Sequence, residues 1–319
     1  MSRQKPIGPG EEWGGGRILK PWEFPGVSAS LARRIQREGW AEVSGKKLPL
    51  DQNGYVRIGA GKYMVLTGIK SPVVNVETPR GLNVLFDDNC TDAGIVDIHG
   101  GCYISGRLAV KTMAADRIRY VNGLSAFGEI IAKETDIEGR GFIEAAEIKA
   151  RGSINVAGDA KADVIMANTG AVMAHTLTGK KILGYTGVYS TVGGISYDVE
   201  TIGDEAPECL IWCNEGGISS QGTIRTGSVC AGKDINTFKG DLVIEGDAYC
   251  MGARIRGRVT DGSGKDASES VYSRCVWECH DEAGRMTRKK AKNIPAKKHL
   301  RTPFDVRRWK EYWGHEDLM

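Results

Sequence analysis

Residues 135–170 read TDIEGRGFIEAAEIKARGSINVAGDAKADVIMANTG, and the spacing of their apolar residues decides the fold class. An aliphatic residue recurs every five or six positions, and glycines fall near the breaks. A spacing of five to six fits neither the 3.6-residue period of a helix nor the 2.0-residue period of a continuous strand. The recurring residues are Ile137, Ile143, Ile148, Ile154, Ala160 and Ile165.

The same pattern returns in residues 216–259, and a less regular version occupies residues 94–110. Short repeats of this kind are typical of parallel β-helices, in which strands of three or four residues are joined at glycine corners. We therefore predict an all-β fold, a single-stranded parallel β-helix: a triangular β-solenoid of five- to six-residue repeats, with about 17 or 18 residues a turn. In the second stretch the apolar residues are Ile218, Ile224, Val229, Ile235, Leu242, Ala248, Ile255 and Val259.

An antiparallel β-sandwich or barrel is the alternative fold. Such folds favour strands of about 5–6 residues, with turn signals every 8–12 residues. Turn signals occur at about half that spacing here, which favours the solenoid. The interval 180–213 departs from the repeat spacing, so we expect a loop or an inserted hairpin there.

Composition narrows the class of protein. The 319 residues include 43 glycines but only 10 prolines, with no Gly-X-Y period, so collagen and low-complexity disorder are excluded. The first residues lack the apolar run of a signal peptide, and no stretch approaches the roughly 18 apolar residues that span a bilayer. The eight cysteines are scattered along the chain. A virion or cytoplasmic location with reduced thiols is therefore expected.

The sequence divides into three predicted regions. Residues 1–50 form an N-terminal extension with one short helix at about 28–39, and residues 51–264 form the β-solenoid with small non-solenoid extensions on either side. Residues 265–319 hold a closing strand, a basic arm and a C-terminal amphipathic helix that begins at Thr302 and ends at Gly314. Six of the seven tryptophans lie outside the repeats, which leaves Trp212 inside them.

The basic arm is the clearest interaction signal. Residues 285–310 carry eleven Lys or Arg and one acid, a net charge of +10, whereas the whole chain is only +3. Such a segment neutralises an acidic surface of another subunit, which we favour, or the phosphates of a nucleic acid, or it is a solvated tail. The predicted partner-binding residues, in the arm and on the helix, are Lys289, Lys290, Lys292, Lys297, Lys298, Arg307, Arg308, Trp309, Tyr312 and Trp313.

Catalytic and metal chemistry find little support in the sequence. His99 and His175 are the histidines of the repeat region, and hexapeptide-repeat acyltransferases use a histidine as general base. Neither histidine lies in a long inserted loop, so we predict no catalytic residue. The pairs Cys209–Cys213 and Cys275–Cys279 are spaced more widely than the usual zinc-ribbon pair, so we predict buried apolar thiols, no metal and no cofactor.

Two segments resemble a known family. Residues 141–158, GFIEAAEIKARGSINVAG, and 222–235, GTIRTGSVCAGKDI, look like bactofilins, the polymer-forming bacterial β-helix proteins. They also resemble solenoid segments of bacteriophage structural proteins. The resemblance implies a non-enzymatic, self-associating structural protein, a homo-oligomer that also contacts other structural proteins. A hexapeptide-repeat-like acyltransferase and a nucleic-acid-binding accessory protein remain the alternatives.

Overall fold

A computed structural model describes the repeat region and parts of its flanks. The described residues are 90–104, 106–198, 206, 208–252, 254–273, 276–280, 283, 285–290 and 292, together with five short strands between residues 40 and 87. No α-helix lies among these residues. The parallel strands of the described residues stack as a β-solenoid of about 9 turns. The chain divides into two compact units, Met1–Ala146 and Glu147–Met319.

The first unit contains eleven described strands, most of them short. They are β1 (Trp40–Val43), β2 (Lys46–Pro49), β3 (Val56–Gly59), β4 (Val74–Glu77), β5 (Val84–Asp87), β6 (Cys90–Ile104), β7 (Arg107–Tyr120), β8 (Gly123–Ala126), β9 (Glu129–Ala132), β10 (Ile137–Gly139) and β11 (Phe142–Glu144).

The second unit contains twenty-one described strands of two to five residues, and a 3-10 turn at Ser268–Ser270. The strands are β12 (Glu147–Ala150), β13 (Ile154–Val156), β14 (Ala160–Lys161), β15 (Val164–Ala167), β16 (Ala171–Ala174), β17 (Leu177–Thr178), β18 (Lys181–Gly184), β19 (Gly187–Ser190), β20 (Ile195–Ser196), β21 (Leu210–Cys213), β22 (Ile218–Ser220), β23 (Ile224–Thr226), β24 (Ser228–Ala231), β25 (Ile235–Thr237), β26 (Leu242–Ile244), β27 (Ala248–Cys250), β28 (Ile255–Arg256), β29 (Val259–Thr260), β30 (Val271–Ser273), β31 (Val276–His280) and β32 (Met286–Lys290).

In the second unit each strand from β12 to β27 pairs in parallel with the strand three places later in the chain. On what we call the first face, β12, β15, β18, β21, β24, β27 and β30 follow one another. Ile148 pairs with Ile165 and Ile165 with Ile182, a step of 17 residues. The other two faces are built in the same way, beginning with β13 and β14. Three strands therefore make one turn, which confirms the predicted parallel β-helix and excludes the antiparallel sandwich for these strands.

The predicted inward residues form the core. All fourteen of them, from Ile137 to Val259, are at most 3% exposed. Because side chains alternate between the two sides of a strand, only one or two per strand enter the narrow interior, and each stacks on its equivalent in the next turn. One corner needs an unusual backbone angle: Gly257 has φ +116°, and a Cβ there would collide with the Thr237 hydroxyl.

Two strands of the first unit, β6 and β7, are much longer than the other strands. Strand β7 has 14 residues and pairs in parallel with three successive strands of the next turn. Its Leu108 faces Leu124 of β8, its Met113 faces Ile130 of β9, and its Ile118 faces Ile137 of β10. One continuous strand therefore bends round three faces. The 15-residue strand β6 likewise runs unbroken through residues 94–104, where the spacing is less regular than in the later repeats.

The interruption expected at residues 180–213 is narrower than predicted. Strands β18, β19 and β20 keep the repeat, and the extra residues lie between Ser196 and Leu210. Ile182 pairs with Ile211, a step of 29 residues in place of 17. The stack resumes in register after the insertion, with Ile211 on Val229.

Antiparallel pairs flank the coil. In the first unit β1 and β2 form a hairpin that the sequence did not suggest, and in the second unit β31 pairs with β32. Beyond β32, Lys292 makes a parallel bridge with Tyr272 of β30. The helices predicted at 28–39 and 302–314 lie outside the described residues.

Candidate interaction surface on the first face

The predicted basic arm begins as part of the fold. Strand β32 pairs with β31 in register, with Lys289 opposite Trp277 and Lys290 opposite Val276. The main chain of Lys292 then pairs with β30: its N–H donates to the Val271 carbonyl at 3.2 Å, and its carbonyl accepts from Ser273 N–H at 3.1 Å. The basic segment therefore leaves the described part of the chain on the first face, beside the last strand of that face.

Lys289 contacts the acidic corner below it. Its Nζ lies 3.1 Å from Asp266 Oδ2 and 2.7 Å from Ser268 Oγ. The Ser268 hydroxyl, first, and the Lys289 ammonium hold the pKa of Asp266 below its ordinary value. An exposed ion pair of this kind contributes about 0–1 kcal/mol, so it orients the strand more than it stabilises the fold.

Of the other predicted binding residues, one is described as exposed and most lie outside the described residues. Lys292 is exposed, and so are Arg285 and Arg288 of the same segment, which the prediction did not single out. Nothing is described of the Lys290 side chain. The remaining predicted partner-binding residues lie outside the described residues: Lys297, Lys298, Arg307, Arg308, Trp309, Tyr312 and Trp313.

The two histidines of the repeat region are half-buried and occupy ordinary positions of the coil. His99 lies in β6, where its Nε2 is 3.8 Å from Asp97 Oδ2. The other oxygen of that carboxylate, Oδ1, lies 2.6 Å from Lys133 Nζ. His175 follows β16 at a corner, and its carbonyl accepts a 2.6 Å hydrogen bond from the Ser190 hydroxyl. The His99 imidazole therefore contacts a carboxylate of its own strand, and His175 is joined to the next turn through its main chain.

The thiols described in the coil are buried and unbridged. Cys209 and Cys213, one of the two candidate metal pairs, are 2% and 1% exposed. Among the described residues no group of three potential ligands could hold a metal ion. The other candidate pair cannot be placed, since Cys275 lies outside the described residues. The thiols therefore pack as small apolar side chains, as predicted for Cys209 and Cys213.

Burial of the thiols makes the coil less stable at alkaline pH. It raises the pKa of Cys213 to about 11 and those of Cys230 and Cys250 to about 12. Since the unfolded chain loses these protons near pH 9 and the folded chain keeps them, stability is full below pH 9 and falls as pH rises toward 11. We expect the free energy of urea unfolding to fall by up to about 1.4 kcal/mol per pH unit for each thiol.

The variant Cys250→Ala is the matched control, because alanine already occupies the equivalent position at Ala231. In this variant the free energy of urea unfolding should fall less steeply between pH 9 and 10 than in the natural chain. An identical slope in the two proteins would contradict the assignment.

A second apolar cluster lies on the outer side of the first face. It consists of Met166, Leu183, Trp212, Cys230 and Tyr249, which we call the outer ladder. These residues alternate with inward ones, and each is the register partner of the next. Tyr272 continues the ladder, its ring stacked on Tyr249 with centroids 5.0 Å apart.

The outer ladder is buried although it points away from the interior. Met166 and Leu183 are 1% exposed, and Trp212 and Tyr249 are 6% exposed. The indole N–H of Trp212 has no hydrogen-bond acceptor among the described residues. The Tyr249 hydroxyl donates to Asp247 Oδ2 at 2.8 Å, so polar groups border the apolar stripe.

Sequence reasoning missed the ladder, although a signal for it exists. In β15, β18, β21, β24 and β27 the residue between two inward positions is itself apolar, as in the triplets IMA, IWC and AYC. An ordinary solvated face would carry a polar residue there. Trp212, the one tryptophan within the repeats, belongs to this outer stripe and not to the narrow interior.

No family model, curated protein or solved structure matches this chain. The structure shows the β-solenoid, so the resemblance to bactofilins and to bacteriophage solenoids is supported for the fold alone. No helix among the described residues is long and apolar enough to cross a membrane.

Proposed function

We propose that the protein is a non-enzymatic scaffold that associates with copies of itself. Lateral surfaces of the solenoid and the basic C-terminal segment supply the subunit contacts. The coil offers long, regular side surfaces, as is usual for solenoid proteins that bind partners. Virion or bactofilin-like assemblies are the kind of structure in which such a scaffold serves.

The observation that carries the proposal is the contact between Lys289 and Asp266. It shows the basic strand seated on an acidic corner of the coil, with Arg288 and Lys292 exposed beside it. Residues 51–264, the predicted coil, carry 21 Lys or Arg and 26 Asp or Glu, a net charge of −5, whereas residues 285–310 carry +10. The exposed cations of one copy are therefore complementary to the coil of another.

Charge reversal in the basic segment tests this proposal. The variant Arg288→Glu/Lys292→Glu/Lys297→Glu/Lys298→Glu is expected to sediment as a monomer at concentrations where the natural chain forms oligomers. Raising the salt from about 50 to 500 mM should dissociate the natural oligomer as well, because exposed charges are screened. Sedimentation velocity on the full chain measures both effects.

Reversal of the exposed Lys233 and Lys239 on the coil controls for the place of the added charge, with half the change in net charge of the four-site variant. This variant should keep the oligomer of the natural chain. A natural chain that is monomeric at every concentration, or an oligomer that survives reversal of the basic segment, would contradict the proposal. Binding of DNA that disappears with the reversed segment, in a monomeric chain, would favour the nucleic-acid alternative.

A further inference from the structure

We propose that the outer ladder is the docking groove of the chain's own C-terminal segment, residues 302–314. The segment lies along the ladder as an amphipathic helix, and it covers the ladder within a single chain. This intramolecular contact is independent of the proposed self-association, since a monomer has it as well.

Burial of the ladder requires a covering layer. A side chain on the outer side of a sheet stays accessible unless another element packs on it. Met166 and Leu183 nevertheless have only 1% of their surface exposed in one isolated chain. The described apolar residues that pack against the ladder are Val164, Leu210, Tyr185 and Tyr272, and these belong to the first face or follow directly on it. They border the stripe, so the cover comes from another segment.

The position of Lys292 indicates which segment that is. Lys292 pairs with Tyr272, the outward residue that continues the ladder beyond Tyr249. The chain therefore leaves the described residues on the same face and one strand beyond the end of the ladder. Residues 293–301 can span up to about 30 Å when extended, which is enough to lead the following residues back along the stripe.

The lengths of the two elements agree. The ladder spans five strands, and four spacings of about 4.8 Å give a stripe about 19 Å long. A helix over residues 302–314 would be about 20 Å long at 1.5 Å per residue. Every turn of the ladder would then meet the helix.

The chemistry of the segment fits the stripe. Val306, Trp309, Tyr312 and Trp313 fall on one side of the helix, whereas Arg307, Arg308 and Lys310 fall off it. The apolar side suits the ladder, and the cations suit its border, where Asp247 lies.

Two other occupants are less suitable. The insertion between Ser196 and Leu210 has Val199 and Ile202 as its large apolar residues outside the described part, too few to cover five turns. A second copy would leave the ladder open in one chain, which disagrees with its burial.

Photo-crosslinking on the full chain tests the docking. Benzoylphenylalanine in place of Trp309 is expected to crosslink to peptides that contain Met166, Leu183 or Trp212. The same probe in place of Arg308, off the apolar stripe, should give several-fold less of these products. Crosslinks to other parts of the chain, or equal yields from the two positions, would overturn the proposal.

An equal mixture of ¹⁵N-labelled and unlabelled protein identifies the source of the segment. Crosslinked peptide pairs of a single isotope indicate docking within one chain and support the proposal. Pairs of mixed isotope would show that a second copy supplies the helix, and would overturn it. Self-association through the basic segment changes neither product.

Uncovering the ladder gives a second measurement. The variant Trp309→Ala/Trp313→Ala is expected to keep the far-ultraviolet strand signal and to increase the fluorescence of 1-anilinonaphthalene-8-sulfonate several-fold. The matched variant Arg307→Ala/Arg308→Ala should leave the fluorescence unchanged. A double tryptophan variant with unchanged dye binding would count against the docked helix.

Discussion

Replacing Ile182 by aspartate is expected to abolish the stable fold of the second unit. Ile182 is fully buried and stacks between Ile165 and Ile211. A carboxylate at this position has no partner in an interior of aliphatic side chains, and burying an unpaired charge is among the most destabilising single changes. We expect a loss of at least about 3–5 kcal/mol, read as loss of the cooperative urea transition followed by circular dichroism.

The variant Asn155→Asp introduces the same charge on the outer side of β13, where Asn155 is exposed. It should change the free energy of unfolding by no more than about 0.5 kcal/mol. If Ile182→Asp unfolded at the same urea concentration as the natural chain, the inward assignment of Ile182 would be wrong. The comparison separates the two sides of the coil, because both changes add one negative charge.

Truncating Tyr120 is expected to have the next largest effect. Its ring is fully buried in the first unit and occupies the room beside Gly139, its register partner in the next turn. A Cβ at Gly139 would collide with this ring. Tyr120→Ala should lower the free energy of unfolding by about 3–5 kcal/mol, because it leaves an aromatic-sized cavity.

A double-mutant cycle with Gly139→Ala tests that contact. The single change Gly139→Ala should destabilise, since the ring must move, whereas in the Tyr120→Ala background the added methyl group fills part of the cavity. We expect a coupling free energy of about 1–3 kcal/mol between the two positions, from thermal or urea unfolding. Additive effects would show that the ring does not lie over Gly139.

The repeat spacing was enough to predict the parallel coil and its inward residues. Each inward position has a buried partner one turn away. A one-residue shift in the register of a strand would therefore expose its aliphatic residues to water. Ile148, Ile165 and Ile182 could therefore be assigned from spacing alone. Strand β7 was harder to divide into faces, because it bends without a glycine to mark the turn.

The outer ladder depends on contacts between successive turns, which the spacing of inward residues does not encode. Met166 and Trp212 follow inward isoleucines, and an apolar residue at such an outward position is a signal in the sequence. The register is needed to show that these residues form one stripe. Strand β32 is basic and polar, which favoured an arm over a strand. Its pairing with β31 depends on backbone hydrogen bonds, which leave little trace in composition.

The insertion between Ser196 and Leu210 shows how this architecture separates the length of the polypeptide from the number of turns. Ile211 takes the place above Ile182 that a residue twelve positions earlier would otherwise hold. Corners therefore tolerate added residues while the hydrogen-bonded ladders on either side remain in step. A peptide tag or a small domain grafted at such a corner would be displayed at the side of the coil, and the turns before and after it would still stack.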